Sequence, residues 1–244
     1  MSSGQYRLLT RHFLRGFFED DLVSPDEGLQ ATLAPIVAAI ASTGLLVPIS
    51  WAFSYGWPYE RAAEFQALVV RHEVFLVMFP MVVVALVAVV QWDSLYLDRR
   101  DAEVLGRLPV PTSSLFWAKL SALFLFVGVF AVAANAFATA LYPLVANMRP
   151  QPGSPGGLAT FVAHLVSTSG ATLFSVLAVL ATLGVMQLVL PAQWLRTVSP
   201  FAQLAAVLIL VLALLMLPFL MRAVDPRSQG RLSELVSLHR LYIE

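Results

Sequence analysis

The chain alternates long apolar runs with short stretches in which charged and turn-forming residues concentrate. Five runs are long enough to cross a bilayer as helices, because a hydrocarbon core of ~30 Å needs about 20 apolar residues. The runs cover about residues 31–53, 73–92, 114–146, 158–190 and 201–221. The pattern predicts an all-α integral membrane protein with about five transmembrane helices.

The third and fourth runs are longer than a bilayer requires. At 1.5 Å per residue each reaches about 50 Å as a helix. We therefore expect these two segments to tilt, to break or to project from the membrane. Residues 54–72 form a mixed polar and aromatic stretch that we predict to be a loop, and residues 191–200 form a short connection.

The N-terminal stretch has the pattern of an amphipathic helix over residues 5–18. Aromatic and aliphatic residues recur at helical spacing on one side, and an arginine recurs every fourth residue on another. We interpret it as a connecting helix in the membrane interface, with aromatic rings in the acyl boundary and arginines toward phosphates. The alternative is a helix that packs on a soluble partner or on the protein itself. The predicted interface residues are Arg7, Arg11, Phe13, Arg15 and Phe17.

Composition supports this organisation, since 59% of the 244 residues are apolar and 12% are charged. A soluble domain carries about 25% charged residues. The formal net charge of zero gives no attraction to nucleic acid, and the absence of Cys excludes disulfides and thiol chemistry. We divide the chain into an interfacial segment (1–30), a transmembrane domain (31–223) with a loop at 93–113, and a polar, weakly amphipathic tail (224–244).

Basic residues in the short loops predict the orientation. The N-terminal segment, residues 93–119 and residues 191–200 together carry eight positive charges, against three in loops 54–72 and 147–157. The tail would add four charges to the second side. From the charges of the internal loops, without those of the tail, we expect a cytosolic N-terminus, with residues 93–113 inside and residues 147–157 outside.

No catalytic motif is visible in the chain. It contains no glycine-rich phosphate loop, no HExxH pair and no G-x-S-x-G turn. We therefore predict neither an enzyme nor a bound cofactor or metal. We interpret His164 as a helix-contact or interfacial residue rather than a proton relay, and Lys119 as reaching toward headgroups. Asn135 is expected to bond a neighbouring helix. The small residues Gly128, Ala131, Ala134 and Ala138 are expected to allow close helix approach. Spans without carboxylates argue against a proton- or sodium-coupled carrier.

The stretch at 93–113 differs from an ordinary solvated loop. Residues 98–108 fit three helical turns with an apolar edge and charges of both signs elsewhere, and Pro109 ends them. This composition suits a short helix that docks into a cleft of another protein. The predicted contact residues are Asp98, Arg99, Arg100, Asp101, Glu103, Val104, Leu105, Arg107 and Leu108.

Two predicted spans are followed by the motif D-R-R-D-x-E-V-L-G-x-L-P-V and then by an aromatic pair with Ala118-Lys119. This arrangement resembles the permease subunit of an ABC-2-type transporter. The resemblance implies that 98–108 is a cytosolic coupling helix that contacts an ABC ATPase subunit. ATP and Mg²⁺ would bind that partner and not this chain. It also implies a second permease copy or a further transmembrane chain, a multi-pass location in the bacterial inner membrane and a hydrophobic or amphiphilic substrate.

One feature departs from that family, whose permease unit usually has six spans. Either the sequence is an incomplete six-helix unit, which we expect, or the fourth segment breaks near 168–170 into two spans. A second functional class stays open beside transport. In that class the chain is a membrane scaffold or assembly factor that binds a cytosolic protein through 93–113.

Overall fold

The computed structural model describes residues 3–19, 29–56, 62–92, 111–148 and 156–223. This part of the chain is helical and contains no strand. The helices, in chain order, are α1 (Ser3–Glu19), α2 (Leu29–Gly56), α3 (Ala62–Val90), α4 (Thr112–Ala146), α5 (Gly157–Val189) and α6 (Ala192–Ala223).

Helices α2 to α6 are each long and apolar enough to cross a membrane. The protein is therefore an all-α multi-pass membrane protein, and the prediction of five spans is confirmed. Helix α4 has 35 residues and α5 has 33, and both are continuous. The alternative in which the fourth segment breaks near 168–170 is wrong, because α5 is one continuous helix from Gly157 to Val189 through these residues.

Two helix boundaries differ from the prediction. Helix α3 begins at Ala62, so residues 62–72 are helical and not part of a loop. His72 is buried there and Arg71 is half-buried, so polar residues occur in this part of the helix without ending it. Helix α6 begins at Ala192, directly after Pro191, whose carbonyl accepts the amide of Leu195. Proline is favourable next to a helix start, and Pro200 in the third turn leaves the helix continuous.

Helix α4 is the centre of the bundle, because α1, α2, α3 and α5 all pack against it. Its buried residues recur along most of its length. One apolar cluster joins its first half to α1, α3 and α5, and a second joins its last turns to the ends of α2 and α3. Helix α6 packs mainly on α3. The bond from the Trp92 indole N–H to the Ser199 hydroxyl (2.9 Å) and that from the Gln203 amide to the Val89 carbonyl (3.0 Å) connect them.

Gly44 allows α2 to approach α4 closely. A Cβ at this position would lie 3.2 Å from the carbonyl oxygen of Ala134 and 3.4 Å from the amide nitrogen of Ala138. Small residues let membrane helices approach until their backbones touch, which increases van der Waals contact. The small residues Ala134 and Ala138 therefore serve the close packing that the sequence predicts.

We expect Gly44→Leu to destabilise the protein by about 1–3 kcal/mol, since a side chain there must separate α2 from α4. Gly170→Leu is the matched control, because a Cβ at Gly170 meets no atom within 4 Å. Thermal unfolding in detergent micelles would compare the two. Equal Tm values for both variants would show that the α2–α4 contact does not depend on Gly44.

Helix α1 packs on the first half of α4. The Tyr6 hydroxyl donates to the Trp117 carbonyl (3.1 Å) and lies 2.7 Å from the Ser121 hydroxyl. Phe13 and Phe17 are 4% and 3% exposed, and the ring of Phe17 lies 5.9 Å from that of Phe126. These two rings are buried by the protein's own helices rather than placed in the acyl boundary. For these two residues the structure agrees with the alternative in which the N-terminal helix packs on the protein itself.

Candidate functional site

A cluster of ionisable and polar side chains lies inside the helix bundle, near the end where α4 ends and α5 begins. We call it the His164 cluster, and its members are Tyr55, His72, Glu73, Tyr142 and His164. Glu73 is the ninth residue of the candidate span Phe65–Val90, about 12 Å along the helix from its start at 1.5 Å per residue. Ionisable residues at such depth are costly and are a default hypothesis for a functional site.

His164 on α5 is completely buried, and it faces α3 and α4. Its Nδ1 atom lies 3.9 Å from a carboxylate oxygen of Glu73, and its ring centroid lies 5.2 Å from that of Tyr142. Neither ring nitrogen has a hydrogen-bond partner among the described residues. A buried polar group without such a partner is unfavourable, so this site favours a state in which the ring gains an interaction.

His72 occupies a separate environment on the other side of Tyr55. Its Nδ1 atom lies 3.1 Å from the Tyr55 hydroxyl, and its ring stacks on Trp51 at 3.8 Å with an interplanar angle of 5°. The Tyr142 hydroxyl donates to the Val69 carbonyl at 3.2 Å. These contacts tie the ends of α2, α3 and α4 together. They give the His72 ring a hydrogen-bond partner, whereas the His164 ring has none among the described residues.

Glu73 was not among the residues predicted from the sequence, because the hydropathy pattern places it at the boundary of the second span. The signal that could have found it is the helical spacing of residues 65, 68, 72 and 76, all of which are buried. Glu73 lies inside the candidate span. The candidate spans therefore do contain a carboxylate, contrary to the expectation from the sequence.

A groove of 560 Å³ runs along the flank of the bundle between α4 and α5. Small-molecule sites usually occupy about 300–1,000 Å³, so the groove has the size of a ligand site. Exposed side chains such as Val132 and Leu173 border it, so it opens on the outside of the helices. Gly128 and Ala131, which the sequence suggested for close helix contact, line this groove and leave it open.

Two polar side chains line the apolar groove one turn apart on α4. The amide nitrogen of Asn135 donates to the Ala131 carbonyl of its own helix at 2.8 Å, so the expected bond to a neighbouring helix is not formed. The Asn135 carbonyl oxygen and the Thr139 hydroxyl have no hydrogen-bond partner among the described residues. Both atoms are buried, so a molecule in the groove that carries an N–H or O–H group would satisfy them where these side chains turn toward it.

The predicted ATPase contacts, from Asp98 to Leu108, lie outside the described residues. Among the predicted interface residues, Arg7, Arg11 and Arg15 are exposed, whereas Phe13 and Phe17 are buried. Lys119 is 7% exposed, and its Nζ atom lies 5.6 Å from the centre of the Phe13 ring. The expectation that Lys119 reaches toward headgroups is therefore wrong, because α1 covers it.

The described residues contain no group of three His, Asp or Glu side chains that could hold a metal ion. No protein-family model, curated protein or solved structure matches the chain.

Proposed function

We propose that this chain is the transmembrane permease subunit of a transporter in which a separate ABC ATPase subunit hydrolyses ATP. The substrate is a hydrophobic or amphiphilic molecule, and the membrane is a bacterial inner membrane with the N-terminus in the cytosol. The observation that carries the proposal is the groove between α4 and α5. It combines an apolar lining with unpaired polar atoms, which is the chemistry that an amphiphile needs.

The position of α1 supports the proposed coupling. Its contacts with Trp117 and Ser121 lie near the start of α4, and the Gln91 side chain at the end of α3 donates to the Phe17 carbonyl at 3.5 Å. Residues 93–110 join those two helix ends. A force applied there by an ATPase would act on α4, which contributes one wall of the groove, as a rigid helix.

Co-purification tests the proposal. The full chain, extracted in mild detergent from its native membrane, should retain an ATP-binding protein that mass spectrometry identifies as an ABC ATPase. The reconstituted pair should hydrolyse ATP faster than the ATPase alone. Capture of a cytosolic protein without ATP-binding motifs would instead favour the scaffold function, and so would a captured ATPase whose hydrolysis rate the chain leaves unchanged.

The orientation has its own test, because the chain contains no native Cys. We expect Ser154→Cys to react with a membrane-impermeant maleimide in intact cells, since loop 147–157 carries one basic residue and is predicted to be outside. Ala102→Cys in the cytosolic loop is the control and should react after permeabilisation. The reverse pattern would overturn the proposed topology.

A further inference from the structure

We propose that His164 and Glu73 form an intramembrane proton-binding site, with the proton on the imidazole ring and the Glu73 carboxylate as its counter-ion. The site would connect α3 to α5 when the proton is bound. Such a site does not depend on the transport function proposed above, because it rests on contacts between two helices within this chain.

The unpaired ring nitrogens of His164 are the first support. A neutral imidazole has one donor and one acceptor nitrogen, and here both are buried without a hydrogen bond. A bound proton makes both nitrogens donors and places a positive charge 3.9 Å from the Glu73 carboxylate oxygen. A charge-assisted hydrogen bond needs only a small closing movement from that distance, and it is strong in a low-dielectric interior.

The position of Glu73 is the second support. Its carboxylate lies within a candidate membrane span, and 31% of its side chain is exposed. A lone carboxylate at that depth is unfavourable, so a neighbouring positive charge stabilises its ionised form. The Glu73 side chain is partly exposed, whereas His164 itself is buried by the surrounding helices.

The other titratable groups around His164 do not compete for this role. From α4, Tyr142 presents its ring, and its hydroxyl already donates to the Val69 carbonyl. From α3, His72 is turned toward Tyr55 and Trp51, and Arg71 lies beside it at a separate small pocket. The next turn of α5 contributes Thr168, whose hydroxyl bonds the His164 carbonyl. From α6, Pro218 and Met221 border the small pocket beside His72, and neither can titrate.

Proton binding at this pair would have a mechanical consequence. His164 and Glu73 join α5 to α3, and Leu165, the neighbour of His164, lines the groove on the outward face of α5. A closed ion pair would therefore hold α5 against α3 and fix one wall of the groove.

Solid-state ¹⁵N NMR of histidine side chains, on the full chain in lipid nanodiscs, tests the proposal. The chain has four His, and His164→Gln identifies the His164 signal by its loss. At about pH 5.5 we expect this signal to be that of an imidazolium ring. In Glu73→Gln the protonated fraction should fall at least about fivefold, because an opposite charge at 4–6 Å is what favours the charged form.

Two further variants complete the test. Glu73→Asp keeps the charge and should restore a protonated fraction between those of wild type and Glu73→Gln. Gln66→Glu is a control that adds a carboxylate on an exposed position of α3 and should leave the His164 signal unchanged. A neutral His164 ring in the wild type at about pH 5.5, or an equal protonated fraction in wild type and Glu73→Gln, would overturn the proposal.

Discussion

Leu105→Asp should abolish binding of the ATPase that co-purifies with the wild-type chain. Leu105 lies on the apolar edge predicted for residues 98–108, and docking would place the new carboxylate in a desolvated cleft. An unpaired buried charge is among the largest single-residue penalties, so we expect affinity to fall at least about hundredfold, which equals about 2.7 kcal/mol. Detergent-solubilised protein and immobilised ATPase would give the dissociation constants.

Gly106→Asp is the matched control for that change. It adds the same charge one residue away, and at about 100° per residue it lies opposite the apolar edge of a helix. We expect its affinity for the ATPase to stay within about threefold of the wild-type value, because an exposed rim charge has a small effect. If Leu105→Asp protein reaches the membrane and binds the ATPase as the wild type does, the assignment of 98–108 as a coupling helix is wrong.

Gly128→Leu should block the groove between α4 and α5 without unfolding the protein. A Cβ at Gly128 meets no heavy atom within 4 Å, so the new side chain enters open space in the groove. In an apolar site one methylene more or less changes binding about tenfold or more. The Leu side chain is larger than one methylene and therefore blocks more of the groove. We expect ligand binding to fall at least about tenfold.

A photoactivatable long-chain fatty amide is a suitable probe for the groove. Its N–H group matches the unpaired Asn135 carbonyl oxygen, and its chain matches the apolar lining. In nanodiscs the wild type should be labelled on peptides of α4 and α5, and the corresponding methyl ester should label less because it has no donor. Gly170→Leu, on an exposed part of α5 outside the groove, should behave like the wild type. Equal labelling of Gly128→Leu would exclude the groove as the binding site.

Hydropathy alone was enough to predict the membrane fold. Runs of apolar residues without charge predict spans, because a helix in lipid must satisfy its backbone internally whatever its neighbours are. The five spans and the small residues Ala134 and Ala138 at a helix contact were therefore readable from the chain. The predicted start of the second span was wrong, because residues 62–72 are helical and the run Arg71, His72 and Glu73 is typical of a loop in sequence. Helix ends cannot be read from charge when the charged side chains face other helices.

The candidate sites depended on tertiary structure, because both arise between helices that are distant in sequence. Glu73 and His164 are 91 residues apart, and only the packing of α3 on α5 brings them to 3.9 Å. The same packing decides that Gly128 faces a groove while Gly44 faces a backbone. Local sequence determined which segments enter the membrane, since transfer into lipid depends on each segment alone. Which face of each helix meets a neighbour depends on the whole bundle, and that was decided by the tertiary structure.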